Sequence, residues 1–242
     1  MIKGIAFDLQ FTIVYLENFT LGKWFIHFDA GFVKVMDYLT DLGIQYDPKR
    51  LKRTLRRIRN KYFALTITED QQYFTEEILR DTFTKREVTL NSEQFTKCVQ
   101  LYHSVEIPAW KLFPKARDTL AHLSKEYKLA LITNASQFVT DAVLKNQQID
   151  QHFDFVYTKA RKPRFPAFQK FKEALNANFN ELVMVGDDIN ADIKPAAELG
   201  MKTIHAYRGY EYLQHHAQLN VTPNKKIDKF EDVVQTIDEL NR

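Results

Sequence analysis

From about residue 112 onward, short apolar runs alternate with helical stretches, and this alternation limits the possible folds more than any other feature of the chain. Lys128–Ile132, Phe153–Tyr157, Glu181–Val185 and Lys202–Ala206 have the length and aliphatic content of buried strands. Lys115–Glu126, Gln137–Asn146, Ala167–Ala177 and Asp192–Leu199 read as the helices between and around them, the last closed by Gly200. A final helix covers roughly Phe230–Leu240. Strand–helix repetition of this kind predicts an α/β fold with a doubly wound parallel sheet. One more strand-like run, Ile5-Ala6-Phe7, lies far upstream and joins that sheet from a distance.

The residues between are of a different kind. From about Leu21 to His103 the pattern is helical and poor in strand signals. Trp24, Phe25, Phe28, Phe32, Val35, Met36 and Leu39 recur at steps of three and four, and Gly43 follows as a C-terminal stop. Asp47-Pro48 reads as an N-cap followed by proline at the first helical position. The helix it opens carries Leu51, Leu55, Ile58, Tyr62 and Leu65 on one face. Its other face holds Lys49, Arg50, Lys52, Arg53, Arg56, Arg57, Arg59 and Lys61, and reads as a solvated surface. Further helices are expected around Asp70–Phe83 and Ser92–His103, with Ser92 as an N-cap lacking a full capping box. The expected organisation is therefore an α/β core of residues 1–16 and 104–242, with an all-α insertion at 17–103. The connections near 13–20 and 104–114 are expected to act as hinge linkers.

Composition excludes several classes. The net charge is +3 over 242 residues, which does not suggest a nucleic-acid binder. Cys98 is the single cysteine, so neither an intrachain disulfide nor a cysteine-based zinc site is available. No run approaches the eighteen apolar residues of a membrane span. Asp8 and Gln10 interrupt the apolar N-terminus, which argues against a signal peptide, and a cytoplasmic protein is expected. The seven histidines have no ligand or triad spacing, and His215-His216 reads as surface. The oligomeric state is left open.

The polar residues at the strand ends carry the chemistry. Asp8, Thr133, Lys162 and the Asp187-Asp188 pair all follow strand-like runs. In a parallel sheet, groups at the carboxyl ends face one crevice. Asp8, Asp187 and Asp188 or Asp192 gathered there would repel one another unless a cation joined them. Hard oxygen donors completed by a substrate phosphate suit Mg²⁺. Lys162 and Thr133 would then neutralise and orient phosphate oxygens, and Asp8 could attack phosphorus.

These residues resemble the ordered motifs of the haloacid dehalogenase-like hydrolase superfamily. Asp8-Leu9-Gln10-Phe11-Thr12 matches the first motif and Leu131-Ile132-Thr133-Asn134 the second. Arg161-Lys162-Pro163 matches the third, and Val185 through Asp192 the fourth. The helical insertion falls where that family carries a helical cap, so the resemblance spans almost the whole chain. It implies a Rossmann-like core and Mg²⁺ as cofactor. It also implies that Asp8 is nucleophile and metal ligand, and that the Gln10 carbonyl and Asp187 are further ligands. Asp192 or Asp188 would reach the metal directly or through water. Thr133 and Asn134 would hold the transferring group, and Lys162 would stabilise its charge and that of Asp8.

Position 10 departs from the pattern. Family phosphatases carry a second aspartate there as general acid and base, whereas this chain has Gln10. An amide donates a hydrogen bond but does not deliver a proton near neutral pH. The expected activity is an Mg²⁺-dependent phosphoryl hydrolase acting on a small phosphorylated metabolite, one suited to good leaving groups or slow in turnover. One alternative is a 2-haloacid dehalogenase-like enzyme using Asp8 against a C–halide bond. Another is a non-catalytic descendant that binds a phosphorylated ligand or a protein.

Overall fold

A computed structural model describes residues 1–69, 72–207 and 221–242. The expected helix start at Asp70 and the His215-His216 pair lie outside the described residues. The chain divides into two compact units, one of Met1–Glu17 with Trp110–Arg242 and one of Asn18–Ala109. It opens with β1 (Gly4–Phe7) and β2 (Val14–Leu16). Then come α1 (Leu21–Asp41), α2 (Pro48–Glu69), α3 (Thr75–Thr84) and α4 (Ser92–His103). The chain continues through β3 (Trp110–Leu112), α5 (Ala116–Leu123), β4 (Lys128–Ile132), α6 (Gln137–Gln147) and β5 (Phe155–Tyr157). It ends with α7 (Pro166–Ala174), β6 (Leu182–Gly186), α8 (Lys194–Glu198), β7 (Lys202–Ala206), β8 (Lys225–Ile227) and α9 (Asp232–Asn241).

In the first unit, six parallel strands among the described residues form a sheet in the order β5-β4-β1-β6-β7-β8. β1 lies between β4 and β6, with Gly4–Phe7 registered against Lys128–Leu131 on one side and Leu182–Val185 on the other. Strands buried on both faces need no alternation of polarity, which is why these runs are continuously apolar. Ala6, Ala130 and Met184 pack with Phe168 and Phe171 of α7. Phe7, one residue along β1, points to the opposite face, where its ring lies 5.8 Å from that of Phe230. This placement sets the carboxyl ends of β1, β4 and β6 side by side.

The connections near 13–20 and 104–114 are not plain linkers. Val14, Tyr15 and Leu16 of β2 pair antiparallel with Leu112, Lys111 and Trp110 of β3. Aromatic contacts hold this ribbon, Phe11 against Trp110 at 5.3 Å and Tyr15 against Phe113 at 4.9 Å. β2, β3 and β8 have three residues each, and lysines in β3 and β8 interrupt the apolar run that β5 keeps.

In the second unit, Phe32, Val35 and Leu39 of α1 pack with Leu51 and Leu55 of α2, Leu79 and Phe83 of α3, and Cys98, Val99 and Tyr102 of α4. Gly43 adopts φ +72° just beyond α1, a left-handed stop that glycine takes without steric penalty. Asp47 Oδ1 accepts from Arg50 N at 2.9 Å, capping α2 ahead of Pro48. α4 is capped one residue earlier than expected. Asn91, not Ser92, accepts from Gln94 N at 2.9 Å, and Gln94 Oε1 accepts in turn from Asn91 N at 3.0 Å. The capping box is therefore complete, because starting at Asn91 places Gln94 at the third helical position. The unit also runs on to Ala109 rather than stopping at residue 103, since Glu106 accepts from Trp24 Nε1 of α1 at 3.2 Å.

Candidate active site

β1 ends where the amide of Asp8 donates to Val185 O at 3.0 Å, so Asp8 stands at the rim of the sheet beside β6. The chain then turns tightly. Phe11 takes φ 61°, and its amide donates to Val14 O at 2.7 Å. Gln10 lies half-buried in this turn and forms an isolated bridge with Val14. The turn buries Thr12, whose Oγ1 donates to Asp187 Oδ1 at 3.0 Å.

β6 closes on Gly186, and one π-helical turn, Ile189–Ile193, precedes α8. Asp188 caps that turn, its Oδ1 accepting from Asn190 N at 2.8 Å and Ala191 N at 3.0 Å. Asp192 folds back onto the strand end. A Cβ at position 186 would sit 2.3 Å from Asp192 Oδ2 and 2.4 Å from its Cβ, so only glycine admits this approach. Asp192 Oδ2 also accepts from Asp188 N at 3.1 Å.

Lys162 enters between the two acids. Its Nζ donates to Asp8 Oδ1 at 2.6 Å and to Asp192 Oδ1 at 2.5 Å, and the residue is 2% exposed. Thr133, buried at the end of β4, accepts from Ala135 N at 3.2 Å through Oγ1, which leaves its hydroxyl hydrogen to donate. The side chain of Asn134 bonds the main chain of Lys162 at both ends. Oδ1 accepts from Lys162 N at 2.8 Å, and Nδ2 donates to Lys162 O at 3.2 Å.

One carboxylate oxygen from each of Asp8, Asp187 and Asp192 lies within 4.8 Å of the others, and all three residues are buried. Burial pushes the Asp187 carboxyl well above the ordinary range, and the nearby charges of Asp8 and Asp192 push the same way. Burial also raises Asp192, to about 7, against the pull of Lys162. Asp8 is raised too, burial outweighing the Lys162 ammonium. Burial alone would discharge Lys162, but Asp192 and Asp8 hold it charged and raise it above the usual lysine range. A single ammonium thus serves two of three buried acids, and Asp187 has the Thr12 hydroxyl. Compact oxygen donors short of positive charge fit a hard divalent cation such as Mg²⁺.

Of the residues expected at the site, Asp8, Thr133, Asn134, Lys162, Asp187 and Asp192 converge at the strand ends. Gln10 lies in the turn after Asp8, and Asp188 is engaged as the cap of the π turn rather than in the acid trio. Two supporting contacts had no sequence signal of their own. One is the fit of Asp192 on Gly186, and the other is His205 Nε2, 3.0 Å from Asp187 O.

Residues 49–206 match the family model of the haloacid dehalogenase-like hydrolases. The chain belongs to this family. This hydrolase is 28% identical over 181 residues to the pyrophosphatase PpaX of Bacillus mycoides, covering 72% of the chain and 81% of the relative. It is 24% identical over 220 residues to the glyceraldehyde 3-phosphate phosphatase of Pyrococcus furiosus, covering 84% of the chain and 80% of the relative. A 2-haloacid dehalogenase from Pseudomonas syringae pv. Tomato DC3000 has a similar structure, with a TM-score of 0.66, 16% identity and 99% coverage of each chain. At that identity the likeness concerns the fold alone. No described helix is long and apolar enough to cross a membrane.

Proposed function

We propose that this hydrolase is an Mg²⁺-dependent phosphatase that cleaves a small phosphorylated metabolite through an aspartyl phosphate on Asp8. The observation that carries the reading is the buried trio Asp8, Asp187 and Asp192, held within 4.8 Å, of which Asp8 and Asp192 share one lysine. Asp8, Asp187 and Asp192, with the Gln10 carbonyl, would hold the ion. When bound, Mg²⁺ supplies positive charge that lets an anionic nucleophile approach an anionic phosphate.

The chain's own groups supply the rest. Lys162 favours the ionised form of Asp8 against burial and faces the charge that develops on the transferring oxygens. Thr133 donates its hydroxyl hydrogen to a phosphate oxygen. Asp8 forms an O–P bond as the bond from phosphorus to the leaving oxygen breaks, and the leaving group departs with the electron pair. Water then attacks phosphorus, releases inorganic phosphate and restores the Asp8 carboxylate. Gln10 gives no proton to the departing oxygen, so the enzyme favours leaving groups that are stable as anions, such as acyl, aryl or anhydride phosphates. Pyrophosphate, named in the PpaX relative, is of the anhydride type.

Gln10 also gives a specific reason to keep the dehalogenase reading as a rival, because halide leaves without a proton. The acid trio favours the phosphatase, since displacement of halide needs no cation between nucleophile and substrate. One screen separates the two. Acyl, aryl and alkyl phosphates and 2-haloacids are tested in parallel with Mg²⁺ and with chelator. The expected result is turnover of acyl or aryl phosphates that disappears with chelator. Halide release that persists in chelator would overturn the proposal.

A further inference from the structure

We infer that Asn134 is a positioning residue that sets the reach of Lys162 through that lysine's own peptide groups. This inference rests on the proposed role of Lys162 and adds a second residue to it. Asn134 Oδ1 takes the amide of Lys162 at 2.8 Å, and Nδ2 donates to the carbonyl of Lys162 at 3.2 Å. The carboxamide oxygen and one of the two Nδ2 hydrogens are thus both engaged by the same residue. The pairing copies that of two strands, but it is made by a side chain.

The surrounding loop needs such a brace. Lys159 and Arg161 both sit in the left-handed region, at φ 46° and 54°, where non-glycine residues are disfavoured. Conformations of this kind persist where neighbouring bonds over-determine them. The bonds come from the end of β4. Lys159 N donates to Ala135 O at 2.8 Å, and Ala160 N donates to Thr133 O at 3.0 Å. Lys162 N then donates to Asn134, so residues 133–135 fix the backbone from 159 to 162. Lys162 Nζ, at the far end of a four-carbon stem, meets Asp8 and Asp192 at 2.6 and 2.5 Å only if its backbone is held. The residue is 2% exposed, so its stem is enclosed along with its ammonium.

The test uses Asn134→Leu, close to isosteric but without hydrogen bonds, and the milder Asn134→Asp, which keeps the acceptor for Lys162 N. Displacing a catalytic group by about 1 Å can lower rate by about 10²-fold. Asn134→Leu is expected to lower kcat by roughly that factor with KM nearly unchanged. In a Lys162→Ala background the same change is expected to have no further effect, because the group it positions is gone. Mass-spectrometric labelling with an amine reagent gives a readout independent of turnover. Lys162 is expected to be protected in the natural chain and modified at least about tenfold faster in Asn134→Leu, with Asn134→Asp between. If Asn134→Leu does not fold, the labelling and kcat of Asn134→Asp decide the matter. A raised KM at constant kcat, full additivity with Lys162→Ala, or unchanged protection of Lys162 would overturn the inference. If no phosphate ester is turned over at all, the phosphatase reading fails while the labelling still tests Asn134.

Discussion

Asp29 in the helical unit and Asp187 at the sheet edge are the same residue type, pushed in opposite directions. Burial works against ionisation of both. At Asp29 the guanidiniums of Arg56 and Arg59 outweigh it and hold the carboxyl below the ordinary range. Arg59 Nη1 donates to Asp29 Oδ1 at 2.9 Å, and Arg56 donates to Oδ2. At Asp187 the nearest charges are other carboxylates, and they add to the effect of burial. The helical unit closes a second polar set by hydrogen bonds around one carboxylate. His103 Nδ1 lies 2.7 Å from Glu106 Oε2, His103 Nε2 lies 2.8 Å from Thr75 Oγ1, and Trp24 Nε1 donates to Glu106 Oε1. Because a carboxylate only accepts, the hydrogen of that imidazole sits on Nδ1. The difference teaches that a buried charge does not mark a site by itself. A cluster of like charges short of counter-charge does, because only a ligand completes it.

The sharpest way to strain this contrast is at position 10. Gln10→Asp adds a fourth acid beside the trio and restores a proton donor. Alkyl phosphate hydrolysis is expected to rise by about 10²–10⁴-fold, the usual worth of a general acid–base group. Turnover of aryl phosphates should change far less, because their leaving groups need no proton. Steady-state rates on a matched alkyl and aryl pair measure the difference. An unchanged ratio would remove the account of Gln10.

What could be read from sequence, and what could not, divides along the same physical lines. Buried parallel strands are continuous apolar runs, so β1, β4 and β6, and the acids after β1 and β6, were visible locally. The caps Asp47 and Gly43 were visible because each acts on its own helix end. What depends on a partner was hidden. β2 and β3 exist by pairing with each other across the inserted helices. Asp188 and Asp192 stood as equal candidates, since spacing does not reveal a π turn that brings Asp192 onto Gly186 and leaves Asp188 as its cap. The two-ended bond from Asn134 to Lys162 spans two motifs and has no local signature.

Glu106→Ala attacks the closed set in the helical unit. It removes the acceptor for His103 Nδ1 and for Trp24 Nε1 in one step. An unsatisfied buried group costs about 1–3 kcal/mol, so a loss of roughly 2–4 kcal/mol in unfolding free energy is expected. Urea denaturation measures it. If stability falls by less than about 0.5 kcal/mol, the network does not hold the helices together.

Asp187→Asn should behave in the opposite sense. In chelator, removing one of three crowded acids is expected to raise the thermal midpoint by roughly 2–4 °C, equivalent to about 1 kcal/mol at this size. With Mg²⁺ at a hundred times its dissociation constant, the natural chain should gain about 2.7 kcal/mol, and the variant little. An Asp187→Asn protein that is less stable in chelator and still responds fully to Mg²⁺ would erase the contrast between the two regions.

Cys98 supplies the smallest and most discriminating case. It is fully buried among the helices, and burial alone pushes its thiol up to about 12 from an ordinary value of 9.0. The direction matches Asp187, but no like-charged neighbour contributes. The folded thiol keeps its proton over a range in which the unfolded thiol has lost it. The stability this contributes is complete below pH 9 and is lost as pH rises toward about 12. Cys98→Ala should therefore be less stable than the natural chain near neutral pH, by about 1 kcal/mol from lost packing, and should lose less stability above pH 9. Urea midpoints for both chains on either side of pH 9 test this, and parallel curves would refute it. A disulfide reagent should leave Cys98 untouched in the folded protein and label it fully in denaturant. A raised pKa with complete protection and no effect of Mg²⁺ would show that desolvation and charge crowding are separable here, and that the second is what sets the candidate site apart.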